Sequence, residues 1–219
     1  MTMSPPTVAV SASVQRAVLP DSYVLVATAV AHAADSTTAV AHLAARFGEL
    51  EAVVTGLPHV ALQLERGGVA VHPDYDAQRY LDKGASGWRA SRHLSAEGRD
   101  LSQVAELAGA FGRLSDVEIA GPRWQLDRDN PAHAELAAEA VHEAIARARR
   151  YAVTLGGTLG RLVELTDTGM DHGGMRLAAG TSGMAMDSGG AGLQTLDFTP
   201  QPVDVYASIQ GRWYLTLPD

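Results

Sequence analysis

Pro202-Val-Asp-Val-Tyr-Ala-Ser-Ile-Gln-Gly-Arg-Trp-Tyr-Leu-Thr-Leu217 is the stretch that decides the fold class. Val203, Val205, Ala207, Ile209, Trp213, Leu215 and Leu217 share one parity, and Asp204, Ser208, Gln210 and Arg212 share the other. Side chains of a strand point alternately to its two faces, so the pattern predicts one long strand with a buried face and a wet face. Such a strand needs a second layer to cover it. The chain supplies candidates upstream.

The clearest of these is a helix over residues 131–155. Asn130 is a favourable N-cap and Pro131 suits the first helical position. Leu136, Ala140, Val141, Ala144, Ile145, Ala148, Tyr151, Ala152 and Leu155 form its apolar stripe, and Gly156-Gly157 ends it. Arg147, Arg149 and Arg150 are expected near the negative end of its dipole. Asp35-Ser36 caps an earlier helix, whose stripe of Val40, Leu43, Phe47, Leu50 and Val54 stops near Gly56-Leu-Pro58. Asp100 or Ser102 caps another, with Val104, Leu107, Ala108, Phe111 and Leu114 on one face.

Between the helices lie strand patterns. Residues 7–19 and 23–31 flank a Pro20-Asp21-Ser22 turn and are expected to pair as a hairpin. Val60, Leu62 and Leu64 alternate; residues 67–87 break the pattern and read as a long loop or a ragged strand extension. Residues 88–96, 117–126 and 159–165 complete the set, with Pro122 marking an edge position or a bulge. The predicted order is β-β-α-β-β-α-β-α-β-β: an α+β fold with a mostly antiparallel sheet and helices packed on one face. Residues 1–6 are expected to be a disordered N-terminus and 7–217 a single domain. Within it, 167–192 reads as a flexible Gly/Met-rich loop, and the terminal strand is expected at a sheet edge.

Composition narrows the function classes. Seventeen Lys+Arg against 25 Asp+Glu give a net charge of −8, with Lys83 the sole lysine. An acidic chain without a basic cluster argues against nucleic acid and anionic lipid as partners. With 0 Cys, disulfides, thiolate metal sites and a Cys nucleophile are excluded. No run approaches the roughly 20 apolar residues of a membrane span, and the N-terminus has no basic region ahead of an apolar one. The expected location is cytoplasmic.

Four segments together resemble the SIMPL domain family, a widespread group of α+β proteins often found in bacterial envelopes. They are Pro20-Asp-Ser-Tyr-Val-Leu-Val26, leading into the Ala-rich first helix; Gly84-Ala-Ser-Gly-Trp-Arg-Ala-Ser-Arg-His-Leu-Ser95; Ala137-Ala-Glu-Ala-Val-His-Glu-Ala-Ile-Ala-Arg-Ala-Arg-Arg-Tyr-Ala152; and Leu159-Gly-Arg-Leu-Val-Glu-Leu165 followed by Pro202-Val-Asp-Val-Tyr-Ala-Ser-Ile209. The resemblance spans roughly residues 7–217. It implies no enzymatic activity and no catalytic residue to transfer. It implies instead a binding or assembly role: self-association as a homo-oligomer, a possible protein partner, and a link to stress response or signalling.

Outside that resemblance the chemistry-bearing residues are few. Met170-Asp-His-Gly-Gly-Met175, followed by Met184 and Met186, is the one concentration of soft ligands. Met170, His172 and Met175 form a candidate Cu(I) site, the alternative to an assembly role. The other histidines are scattered without helical ligand spacing, and no Gly-x-Ser-x-Gly elbow or phosphate loop is present. A second alternative is a small-molecule site or an uncharacterised enzyme, with its pocket between helices and sheet. No cofactor is expected. Tyr75 and Tyr80 are candidate interface anchors, while Trp88 and Trp124 are expected in the core.

Overall fold

A computed structural model describes residues 5–58, 60–74, 87–168 and 197–218. Seven strands and three helices follow in the order expected: β1 (Thr7–Val18), β2 (Ser22–Ala33), α1 (Ser36–Thr55), β3 (Leu62–Asp74), β4 (Gly87–Gly98), α2 (Val104–Phe111), β5 (Val117–Gln125), α3 (Pro131–Thr154), β6 (Thr158–Asp167) and β7 (Val203–Thr216). All the strand pairs are antiparallel. They form two sheets, β1-β7-β6 and β3-β4-β2-β5, and not one.

The chain divides into two compact units along the same line. The first comprises residues 1–18, 128–194 and 203–219; the second comprises 19–127 and 195–202.

In the first unit β7 is the central strand. Val205, Ala207, Ile209, Trp213 and Leu215 are buried, as their shared parity predicts. The expected edge position is wrong: β1 and β6 occupy both edges of β7, so its ladder groups are taken. The expected β1–β2 hairpin is wrong for a related reason. Each strand has two edges, and those of β2 are filled by β4 and β5.

Helix α3 covers one face of this sheet through a narrower row than its apolar stripe suggests. Ala132, Leu136, Ala140, Ala144, Ala148 and Ala152, all four residues apart, are buried. Residues four apart are neighbours on the helix surface and form one of its ridges, and small side chains let the helix axis approach the strands closely. Val141 and Ile145 flank the row half-buried, whereas Tyr151 and Leu155 are exposed. Asn130 accepts from the Ala132 amide as the predicted cap. The arginines lie just ahead of the last turn, which holds no basic residue: Arg147 donates to the Ser11 carbonyl of β1, and Arg150 pairs with Glu143 at 3.1 Å. For Arg147 and Arg150 these side-chain contacts act where the dipole effect, confined to the last turn, has faded. Arg16 of β1 donates to Glu135 and Glu139 of α3, and these two carboxylates raise its pKa.

In the second unit β2 and β4 form the middle of the sheet. Tyr23, Leu25, Ala27, Ala29 and Ala31 of β2 pack with Ala90, Leu94 and Ala96 of β4 beneath Leu43, Phe47 and Leu50 of α1 and Leu107 and Phe111 of α2. Val24 and Val30, on the other face of β2, are buried as well. That two-sided apolarity is what a central strand requires. Trp88 and Trp124 are half-buried against this core, and Trp124 meets Tyr23 edge-on at 6.3 Å. Pro122 lies in β5, an edge strand with a register shift, as expected. Part of the 67–87 break is strand: β3 runs through Gly67-Gly68 to Asp74.

Candidate functional site

The site residues expected from sequence all fall outside the described residues. Tyr75 and Tyr80 lie outside them, as do Met170, His172 and Met175. Asp167, read as the start of the Gly/Met-rich loop, belongs to β6, and the Thr168 amide donates to the Ser208 carbonyl of β7 at 2.9 Å. Among the described residues no group of three or more His, Asp or Glu is placed to hold a metal ion. None of the described helices is long and apolar enough to cross a membrane.

What the first unit does present is an edge with uncovered apolar side chains. Strand β6 follows α3 through Gly156-Gly157, where Gly156 takes a positive φ of 76° that suits glycine. Leu162 lies opposite Trp213 and Leu165 opposite Gly211, so both point to the side of the sheet that α3 covers. The helix lies mainly over β1 and β7 and leaves this strand partly bare. Leu162 is 47% exposed, Val163 43% and Leu165 45%. Large apolar side chains exposed in a row are the feature that distinguishes a contact surface from scattered surface residues.

The opposite side of the same strand is charged. Arg161 stacks over the Tyr214 ring, 5.0 Å from its centroid, and Glu164 lies across from Arg212. Register shifts fall between Leu159 and Leu162 and between Leu162 and Glu164. Bulges of this kind re-aim side chains and interrupt the ladder at sheet edges. Sequence reading found β6 as a strand but not its bare face. A four-residue run of Arg161-Leu-Val-Glu164 interrupted by bulges has no clean alternation to read.

Two antiparallel sheets, one faced by a single long helix and the other by two helices, define an α+β protein with separate sheet cores. The chain belongs to the SIMPL family, described as a protein of unknown function (DUF541), whose model matches residues 8–213. Among curated proteins, none matches the chain. A solved structure that it resembles is a hydantoinase/carbamoylase family amidase from Burkholderia ambifaria. The two are 17% identical with a TM-score of 0.31, over 57% of this chain and 34% of that one. The chain therefore spans about a third of that structure's length, and a likeness this slight carries no functional argument.

Proposed function

We propose that this SIMPL-family protein is a non-enzymatic binding protein that self-associates through β6. The observation that supports this reading is the row Leu162, Val163 and Leu165, each more than two-fifths exposed on an edge strand. Among the described residues, β6 pairs with β7 alone. A second copy of the chain suits this surface by charge. Two β6 strands related by a two-fold axis run antiparallel, and an axis between Leu162 and Val163 sets Arg161 of each copy across from Glu164 of the other. The bulges limit continuous edge pairing, as they do in sheets that avoid aggregation. The contact accordingly rests on side chains: leucines packed on one face and two Arg–Glu pairs on the other.

Light scattering at micromolar concentration tests this. The expected mass is a whole multiple of 23.0 kDa, above one. Leu165→Lys places a cation in the apolar contact and should return the mass to 23.0 kDa with the fold intact. A monomer mass in the unaltered protein that persists as concentration rises would overturn the proposal.

A further inference from the structure

A groove of about 220 Å³ runs between α1 and the sheet of the second unit. Its floor is Leu43 and Phe47, both nearly inaccessible to solvent. Its walls are Val40 and Val69, which are open to solvent although apolar. Gly48 completes the helix side, and a Cβ built there would meet nothing within 4 Å. Glycine weakens a helix interior, and here close packing does not demand it. Its effect is to keep the groove open.

Arg92 supplies the charge. Its guanidinium lies over the Phe47 ring, 4.2 Å from the centroid, so it is held on an apolar surface. Its Nε donates to the Gly67 carbonyl at 2.9 Å. That carbonyl is available because β3 shifts register between Arg66 and Val69, leaving Gly67-Gly68 as a bulge opposite β4. The bond fixes the plane of the guanidinium and leaves its two Nη groups for another acceptor. Among the described residues no carboxylate pairs with Arg92. Glu51, at the groove's end, is engaged by Nε of Arg66.

We propose that this groove binds a small apolar monocarboxylate, with its carboxylate on the Nη groups of Arg92 and its body against Phe47 and Gly48. A planar guanidinium matches a carboxylate with two parallel hydrogen bonds. One uncommitted cation suits a single negative charge better than a phosphate dianion, because Arg66 is already paired with Glu51. The volume is below the roughly 300 Å³ at which drug-sized sites begin, so the ligand is short. This site lies within one unit and does not depend on self-association.

Titration of ¹⁵N-labelled full-length protein with phenylacetate tests the assignment. Saturable shifts are expected at the Gly48 and Val69 amides and at Nε of Arg92. Arg92→Met should weaken binding by about tenfold or more, the loss of a charge-assisted pair. Gly48→Leu keeps a good helix former, fills the groove, and should abolish the shifts while amide dispersion remains native. It guards against the chance that Arg92→Met merely unfolds the unit. The uncharged 2-phenylethanol should bind about tenfold or more weakly. Shifts that are absent, or that survive both substitutions, would overturn the proposal. So would 2-phenylethanol binding as tightly as the acid, or inorganic phosphate displacing it at equal concentration.

Discussion

Gly98 and Tyr23 face each other across the β2–β4 ladder, and the Tyr23 ring occupies the space where a side chain of residue 98 would stand. A Cβ on Gly98 would lie 2.5 Å from both Cζ and Oη of the tyrosine. The ring is fully buried, and its hydroxyl has no hydrogen-bond partner among the described atoms. Burial first, and the charge of Asp100 second, push the Tyr23 hydroxyl's pKa up.

Tyr23→Phe should therefore be neutral or stabilising. Deleting a buried hydroxyl that makes no hydrogen bond removes a desolvation cost of about 1–3 kcal/mol, offset by the small void left behind. Gly98→Ala should destabilise by about 1–3 kcal/mol, because the ring must leave its place. Urea midpoints of both variants check this. A Tyr23→Phe protein clearly less stable than the original would show that the hydroxyl has a partner after all.

The alanine row of α3 gives a graded test. Ala144 is fully buried whereas Ile145 beside it is half-buried and His142 is exposed. Ala144→Asp should cost about 3 kcal/mol or more by burying an unpaired charge, and Ile145→Asp clearly less. His142→Ala should stay within about 0.5 kcal/mol. If the two aspartate variants melt in the opposite order, the row that seats this helix on its sheet has been misassigned.

Acid should loosen the start of α1. The Asp35 carboxylate accepts from the Thr38 amide at 2.9 Å and from the Thr38 hydroxyl at 2.8 Å, which hold its pKa below the ordinary value. Its contribution to stability is then fully present above the unfolded pKa of about 3.9, and it is lost as pH falls through the lower folded value. The stability gap between the original protein and Asp35→Ala should be widest near neutrality and close as pH falls through the lowered folded pKa. A gap that stays constant over that range would show that the cap does not depend on the charge.

The order of all ten elements was legible because each rests on local chemistry: Asp35 and Asn130 as caps, and the parity of β7. Strand partners were not legible. The hairpin turn at Pro20-Asp21-Ser22 reads as local, yet β1 pairs with a strand almost two hundred positions later, for example Ser13 with Ser208. One signal was present and unused. Residues 22–31 of β2 are apolar on both faces, the mark of a strand with neighbours on both sides. Neither the β6 surface nor the Arg92 groove has a sequence motif. The first arises where α3 leaves a strand bare, and the second where a two-glycine bulge meets a helix glycine.

The central place of β7 also sets an order of events during synthesis. Domains tend to form from the N-terminal end as the chain emerges. Most of the second unit is contiguous, residues 19–127, and its sheet has every strand once β5 is made. The first sheet has no such opportunity. Its opening strand, β1, precedes every other strand of the two sheets, and among the described residues its strand partner is β7, which follows them all. Until β7 is made, β1 and β6 lack the strand that each pairs with in the folded sheet, and their ladder groups stay open to water and to other chains. The interval during which this sheet is vulnerable to aggregation thus lasts through the synthesis of every element between β1 and β7.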